Sequence, residues 1–260
     1  MNLIHKSLCL GAVFFFLGAS QALADLKIGV AAEPYPPFTS KDTTGKWVGW
    51  EIDVIDALCA EMKEKCELTE TAWDGIIPAL TVKKIDLILA SMSKTDKRKE
   101  VIAFSDTYYV AAPLMIGAKN GDSDITPEHL AGKTIGVQAT TIHAAYLEKY
   151  YARTATVKTY QTQDEANQDL AAGRVDYVLA NGLALQSFLN GAQGSCCESK
   201  GAVPPDAAVL GEGVGLGLRK EDTTLATKIN AALGAIAARG TLGKITAKFE
   251  LTGQLITPAK

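Results

Sequence analysis

Hydrophobic residues follow two different spacings along this chain. The run at residues 85–90, which is apolar except for Asp86, predicts a strand that is covered on both faces. Ile52, Ile55, Leu58 and Met62 instead recur at helical spacing and predict an amphipathic helix. Strands and helices of these two kinds alternate through the chain, which is typical of the α/β class.

Two stretches of the chain repeat the same local pattern. Residues 80–91 align without a gap with residues 170–181, and a shorter pair, KIGV and TIGV, precedes the two copies. In each copy a helix ends, a charged residue turns the chain, and a buried strand places a polar residue, Ser91 or Asn181, at its carboxyl end. Ligands of open α/β sheets lie at that end. The duplication therefore predicts two lobes whose Ser91 and Asn181 face each other across a cleft.

Local signals predict how several helices begin and end. Asp74 is expected to cap the helix that follows it, and Thr126 and Pro127 to open a short helix. Gly173 is expected to end a helix at residues 163–172.

The chain is expected to cross between the lobes near residues 110–115 and to return near residues 209–215. Lobe I would contain residues 25–111 and 212–260, and lobe II residues 112–211. Two crossing segments form a hinge, which allows the lobes to close around a ligand.

The first 24 residues are predicted to be a signal peptide. Lys6 provides a positive start, residues 8–17 are apolar, and residues 22–24 form a small-residue cleavage site. A lipid anchor is the competing interpretation, but Cys9 precedes the apolar core instead of following it. We therefore expect export to the periplasm and a soluble mature protein.

The composition limits the function classes. With 47% hydrophobic residues, the chain can form a core in each of two modest domains. Of its 26 basic residues, 25 follow the predicted leader, against 29 acidic ones. The mildly negative mature chain argues against a nucleic-acid partner, which requires a basic face.

Four cysteines remain after the leader. Cys59 and Cys66 are seven positions apart, and in an exported protein a disulfide between them is the expected state. Cys196 and Cys197 are adjacent in a loop and could be free thiols, a vicinal disulfide or part of a metal site. Metal is the least favoured of the three, because no histidine or second cysteine pair is near.

The segment after the first strand end is suited to bind a carboxylate. Ala90 ends the strand, Ser91 and Ser93 offer hydroxyls and backbone N–H groups, and Arg98 follows. A guanidinium matches the two oxygens of a carboxylate. A polar loop with a solvated surface arginine is the competing interpretation.

The second lobe has a corresponding segment. Thr140 and Thr141 precede a predicted helix, whose N–H groups and dipole favour an anion. Ordinary N-capping explains the threonines equally well. The anion-binding interpretation gains weight because both loops follow cleft-facing strands and favour the same charge.

Two aromatic residues and one acid are expected near the cleft. Tyr35 and Trp73 can sandwich a flat or cationic group, although Trp73 could equally be a core residue. Glu33 could neutralise a cationic ligand, or it could be a solvated loop acid.

The chain carries a set of motifs that are specific in combination. They are YPPF at 35–38, VGWEID at 48–53, WDGIIPAL at 73–80, the serines and arginine of 91–98, IAFSD at 102–106 and GLRKED at 217–222. With the leader, they resemble the family 3 bacterial solute-binding proteins, which are periplasmic receptors of ABC importers for polar amino acids. The resemblance covers essentially the whole mature chain. It implies the type II periplasmic-binding-protein fold, with a two-strand hinge and a ligand cleft.

The resemblance also implies roles for individual residues. Arg98 would hold the ligand α-carboxylate with Ser93 and the backbone of Thr141, and Tyr35 would stack on the ligand side chain. The most similar branch binds basic amino acids and opines, and it carries a disulfide at the positions of Cys59 and Cys66.

Asn181 departs from the pattern of ordinary amino-acid binders. They have an aspartate at this position that pairs with the ligand α-ammonium, whereas an amide is better suited to a secondary or derivatised amine. Trp73 is shared with opine binders. Ile142 stands where some relatives have a polar group, and the loop that holds Glu33 is one residue longer than in histidine and lysine binders.

The resulting hypothesis is a monomeric binding protein that delivers an opine, another amino-acid derivative or arginine to an inner-membrane ABC permease. An exported dehydratase-like enzyme is one alternative, but His129 and His143 form no triad or metal spacing. A ligand carrier for a chemoreceptor is the other. We expect no catalytic residue, cofactor or metal.

Overall fold

The computed structural model describes residues 25–255. The predicted leader therefore lies outside the described residues. No helix in the described range is long and apolar enough to cross a membrane.

Twelve strands and nine α-helices alternate in the described range. The strands are β1 (Leu26–Ala31), β2 (Ser40–Lys41), β3 (Trp47–Val48), β4 (Cys66–Thr71), β5 (Leu87–Ile88), β6 (Ala103–Phe104), β7 (Pro113–Ala118), β8 (Thr134–Gln138), β9 (Thr156–Tyr160), β10 (Tyr177–Asn181), β11 (Cys197–Ala202) and β12 (Gly217–Leu218). The helices are α1 (Trp50–Met62), α2 (Ile76–Thr81), α3 (Asp96–Lys99), α4 (Ile142–Tyr150), α5 (Gln163–Ala171), α6 (Gly182–Asn190), α7 (Ala207–Leu210), α8 (Thr223–Ala238) and α9 (Thr241–Lys248). Short 3-10 helices occupy Trp73–Gly75 and Ala192–Cys196.

Ten of the twelve strands form two five-stranded sheets, one for each lobe, and β2 pairs with β3 in a separate two-stranded sheet. The first has the order β4-β1-β5-β12-β6, and the second has the order β11-β7-β10-β8-β9. The strands β1, β4 and β5 are parallel, as are β8, β9 and β10. The predicted two-lobe α/β architecture is therefore confirmed.

The two copies of the repeated pattern use the same contact to join their strands. The backbone N–H of Lys27 donates to the carboxylate of Asp86 at 3.1 Å, and the N–H of Thr134 donates to Asp176 at 2.8 Å. In both copies this aspartate lies two residues after the charged residue that turns the chain, Lys84 or Arg174. The local resemblance between the copies thus reflects one structural device, in which a side chain fixes the register between two parallel strands.

Each sheet has a hydrophobic core on both of its faces. In lobe I, α1, α8 and α9 pack on one face, and α2 packs on the other. Gly29 of β1 is required by this packing, because a Cβ there would lie 2.2 Å from the Cδ1 of Ile85. The helices α8 and α9, near the C-terminus, thus pack on the first lobe, as the sequence predicts.

The chain passes between the sheets at two places. It leaves lobe I after Tyr109 and enters β7, and it returns after α7 to Val214, which forms β-bridges with Ser93 and Tyr109. The division at residues 111/112 and 211/212 stays a prediction.

Three local predictions are wrong. Asp74 caps no helix; instead the backbone N–H of Trp73 donates to the carboxylate of Glu33. Thr126 opens only a single turn, because the segment is largely exposed and Gly132 reverses it with φ of 75°. The strand predicted at residues 85–90 pairs only at Leu87–Ile88, although it is buried as expected.

The expected Cys59–Cys66 disulfide is present and joins α1 to β4. Cys196 and Cys197 are also joined, so the vicinal disulfide is the alternative that the structure contains.

Candidate functional site

A cavity of about 590 Å³ lies between the two lobes. Nine of the ten residues predicted to bind a ligand line it. They are Glu33, Tyr35, Trp73, Ala90, Ser91, Ser93, Arg98, Thr141 and Asn181. Thr140 is not among the lining residues, and it reaches the site only through its carbonyl oxygen, 3.5 Å from Nη2 of Arg98.

Arg98 is the main charged group of the cavity. It lies in α3, whose first turn is fixed by the hydroxyl of Thr95, and its Nη1 donates to the carbonyl of Ser93 at 2.9 Å. Burial lowers the pKa of Arg98 to about 10, so the guanidinium stays charged at neutral pH. No carboxylate within residues 25–255 forms an ion pair with it. A partly buried cation without a counter-ion in the described chain favours the binding of an anion.

Thr141 presents the lobe II side of this anion site. Its hydroxyl accepts from the N–H of Ala144 and caps α4, so the first turn of the helix points at the cavity. Capping and anion binding, which the sequence left as alternatives, are thus compatible at this residue.

The two duplicated strand ends lie on the cavity wall, as predicted. Ser91 has the left-handed φ of 48°, and its N–H donates to Oε1 of Glu51 at 2.9 Å. Asn181 begins α6, and its Oδ1 accepts from the N–H of Leu183 at 2.9 Å. This bond uses one of the two lone pairs of the oxygen, so Asn181 offers a ligand the donors of its NH₂ group and one further acceptor position on Oδ1.

The aromatic residues form a wall on the lobe I side. Tyr35 stacks on Phe38, with ring centroids 5.9 Å apart, and burial raises the pKa of its hydroxyl. The guanidinium of Arg98 lies over the ring of Trp73, and its Cζ atom is 5.3 Å from the centroid of that ring. Both rings line the cavity, and the Trp73 Nε1 is buried without a hydrogen-bond partner in the described chain. Trp73 is therefore a cavity residue and only partly a core residue.

Glu33 has two functions in this wall. Its carboxylate accepts from the backbone N–H of Trp73 at 3.2 and 3.3 Å, which fixes the turn that carries the ring. It also lines the cavity, where it places a negative charge near the aromatic pair.

The sequence analysis missed two lobe II residues of the cavity. His143 is 7% exposed, lines the cavity and makes no hydrogen bond with the part of the chain that the structure describes. Burial, aided by the charge of Arg98, lowers its pKa to about 3, so the imidazole is neutral. Gln163 opens α5 and donates to Asn167 at 3.0 Å. Both lie in the first turn of a helix next to the cleft, and the predicted cap at Thr141 could have located His143.

Within the described residues, no group of three or more histidine, cysteine or acidic side chains is arranged to hold a metal ion. The cavity lining contains hydrogen-bond donors, the charged side chains of Arg98, Glu33 and Asp206, and the aromatic wall.

Several known proteins are similar to this chain in sequence and in fold. Residues 26–252 match the family described as bacterial extracellular solute-binding proteins, family 3. An L-arginine-binding protein of Pseudomonas aeruginosa is 40% identical over 231 residues, which cover 86% of this chain and 87% of that protein. The octopine-binding periplasmic protein of Rhizobium meliloti is 35% identical over 246 residues, which cover 85% and 82%.

A solved structure has the same fold. An ancestral arginine-binding protein bound to arginine superposes with a TM-score of 0.79 at 33% identity, and the match covers 86% of this chain and 97% of that one.

Proposed function

Since this chain belongs to the bacterial extracellular solute-binding proteins of family 3, we propose that it is the periplasmic receptor of an ABC importer for an N-substituted amino acid of the opine type. A free basic amino acid such as arginine is the second choice of ligand. The mature protein would act as a monomer and deliver its ligand to an inner-membrane permease.

One observation carries the proposal. The Arg98 guanidinium lies between the lobes without a counter-ion in the described chain, and hydrogen-bond donors from both lobes surround the same cavity. A ligand carboxylate supplies the missing charge and can accept bonds from both lobes at once. Such bridging favours the closed arrangement, because only that arrangement brings both sets of donors together.

The strand end of lobe II favours an opine over a free amino acid. The carboxamide of Asn181 already uses one lone pair of its oxygen to cap α6, is uncharged, and can donate from its NH₂ group. An ammonium group cannot accept a hydrogen bond from an NH₂ group, whereas the second carboxylate of an opine can. The octopine-binding relative supports the same class of ligand.

The lobe I wall suits the side chain of such a ligand. Tyr35 and Trp73 offer two flat rings, and Glu33 adds a carboxylate beside them. A guanidinium side chain, as in octopine or arginine, gains both stacking and charge pairing there.

An enzymatic function has less support. The buried His143 is neutral and has no acidic partner in the described chain, and Glu33 is held by a backbone N–H. General acid–base chemistry requires a group that is positioned to exchange a proton with the substrate. The relatives reported above are binding proteins by name.

A thermal-shift screen of the mature protein tests the proposal. The protein is unfolded without reductant and refolded to remove co-purified ligand, and octopine, L-arginine, L-histidine, polyamines and organic acids are then added. At a hundred times its dissociation constant a ligand stabilises the protein by about 2.7 kcal/mol.

We expect the largest shift with octopine, a smaller one with arginine, and intact ligand when the bound compound is recovered. A shift with organic acids alone would contradict the proposal, and turnover of the bound compound would establish the enzymatic alternative.

A further inference from the structure

A buried carboxyl group lies directly behind the ligand-facing strand end of lobe I. Glu51, in the first turn of α1, is 0% exposed. Its Oε1 accepts from the N–H of Ser91 at 2.9 Å and from the hydroxyl of Tyr108. Its Oε2 is buried without a hydrogen-bond partner in the described chain.

No cation compensates this group from within the described protein. The titratable groups that interact with Glu51 are the hydroxyls of Tyr35, Tyr108 and Tyr109. None of its charge interactions involves lysine, arginine or histidine. A buried carboxylate is costly to keep ionised unless an opposite charge or several hydrogen bonds stabilise it.

Unpaired hydroxyls lie between Glu51 and the cavity. The Ser91 hydroxyl and the Tyr109 hydroxyl are both buried without a hydrogen-bond partner among the described residues. Ser91 lines the cavity, and its hydroxyl is close enough to lower the pKa of Glu51, although it is not in hydrogen-bond geometry. Unpaired buried polar groups are rare in folded proteins and require an explanation. Here three of them are adjacent, and one lies at the ligand cavity.

We propose that Glu51 supplies the negative charge for the cationic amine of the ligand, and that the Ser91 hydroxyl relays it. The amine N–H donates to Oγ of Ser91, and the Ser91 O–H donates to Oε2 of Glu51. This arrangement gives a hydrogen-bond partner both to Oγ of Ser91 and to Oε2 of Glu51, which are unpartnered in the described chain. It also supplies the charge that Asn181, as an amide, cannot supply from the opposite lobe. The inference rests on the proposed function, because it requires an amine ligand.

The inference predicts that binding depends on pH. Burial raises the pKa of Glu51 to about 7, so the free protein holds this carboxyl partly protonated at neutral pH. A bound cation favours the carboxylate and lowers this pKa, so the proton is released on binding. Affinity should therefore rise with pH. If Glu51 is fully ionised in the complex, the dissociation constant is about tenfold larger at pH 6 than at pH 8. Asp206, His143 and Arg98, which also line the cavity, do not change charge in this window, because their pKa values are about 2, about 3 and about 10.

Titration calorimetry of the mature protein with octopine and L-arginine tests the inference. Measurements at pH 6, 7 and 8, in buffers with different ionisation enthalpies, count the protons exchanged. We expect the release of about half a proton per ligand at pH 7. The variant Glu51→Gln keeps an acceptor for the N–H of Ser91 but has no charge. It should weaken binding at least tenfold at pH 8 and abolish both the proton release and the pH dependence.

Two further measurements separate the effect of the Glu51 charge from the effect of Glu51 on the position of Ser91. Ser91→Ala keeps the backbone N–H and removes the relay, so it should weaken binding and reduce proton release even if Glu51→Gln does not fold. Argininic acid, which has a hydroxyl in place of the α-amine of arginine, should bind Glu51→Gln as well as it binds the unmodified protein. Asp56→Asn, at an exposed acid of the same helix, is the matched control and should change nothing.

The outcomes distinguish the two proposals. If the unmodified protein binds neither octopine nor arginine, the proposed function fails. If it binds them and Glu51→Gln releases the same number of protons, the inference about Glu51 is overturned. Equal losses for arginine and argininic acid would also overturn it, because Glu51 would then only position Ser91.

Discussion

The duplicated strand ends of the two lobes occupy equivalent places and depend on different partners. Ser91 in lobe I has a left-handed backbone whose N–H is held by Glu51, a side chain from α1. Asn181 in lobe II is held by its own side chain, which caps the helix that follows. The fold thus places a polar residue at the same position in each lobe. The group that hydrogen-bonds to this residue within the protein determines which of its atoms can still bind a ligand. Ser91 retains a free hydroxyl, and Asn181 retains an amide NH₂.

The chemistry of the two cavity walls differs in the same way. Lobe I contributes the charged side chains Arg98 and Glu33, with Glu51 behind them. Lobe II contributes the neutral side chains of Thr141, His143, Gln163 and Asn181, and its one acid in the cavity lining, Asp206, is already paired with Lys149. Charged interactions carry more binding energy than neutral hydrogen bonds. We therefore expect lobe I to determine affinity and lobe II to determine selectivity.

Removal of the lobe I cation should have the largest effect. Arg98→Gln should weaken octopine and arginine binding by about 100- to 1,000-fold, because truncation of one partner of a buried charge pair costs about 2–5 kcal/mol. His143→Gln in lobe II is the matched change of a neutral cavity residue and should cost only a few-fold. Isothermal titration calorimetry measures both. Similar losses for the two variants would contradict the assignment of affinity to lobe I.

The disulfides extend the comparison to stability. The Cys59–Cys66 bond closes a loop with a sequence separation of 7 residues and joins α1, the helix of Glu51, to the sheet. Its replacement by two serines should lower the free energy of unfolding by about 2–3 kcal/mol, because the open loop gains entropy in the unfolded chain.

The lobe II bond joins neighbouring residues, Cys196 and Cys197, and closes almost no loop. Its replacement by two serines should cost less than about 1 kcal/mol on the same basis. Urea denaturation of the two double variants measures the difference. Equal losses would mean that the vicinal bond stabilises lobe II by another route.

Much of this site could be predicted from the sequence because its signals are local or repeated. The duplication placed Ser91 and Asn181 on one cavity, and the spacing from Ser93 to Arg98 identified the anion site. Glu51 could not be found in this way. It lies in a recognisable motif, but its partner Ser91 is 40 residues away, and no periodicity connects the two.

The errors have the same physical origin. Asp74 has the right chemistry for a cap, but Glu33, 40 residues before Trp73, holds the backbone N–H of Trp73, and the chain forms a 3-10 turn that places Asp74 one residue too early to cap α2. His143 lies in α4, and only the folded structure shows that it shares the cavity with Arg98 of α3, whose charge helps to lower its pKa. Tertiary contacts, which a single sequence does not encode locally, decided each case.

Replacement of Asn181 by aspartate should change affinity much less than the loss of Arg98 does, and it should have the most specific effect on selectivity. The new side chain can still cap α6 with one oxygen, since aspartate is a good N-cap. Its second oxygen replaces the NH₂ by a negative acceptor, which attracts an ammonium and repels a second carboxylate. We expect arginine to bind about tenfold more tightly, and octopine about tenfold more weakly, in line with about 1–2 kcal/mol for a charged hydrogen bond.

Asn181→Ser separates the charge from the loss of the amide. Serine keeps a cap but adds no charge, so octopine should weaken without a gain for arginine. If the ratio of the dissociation constants for octopine and arginine is unchanged in Asn181→Asp, Asn181 does not determine selectivity.

The Asn181→Asp variant also allows a test of whether Glu51 in lobe I and residue 181 in lobe II act on the same group of the ligand. If Glu51 and the introduced aspartate can each neutralise the amine, Glu51→Gln should weaken arginine binding less in the Asn181→Asp background than in the unmodified protein. Additive losses would instead mean that the two strand ends act on different groups of the ligand.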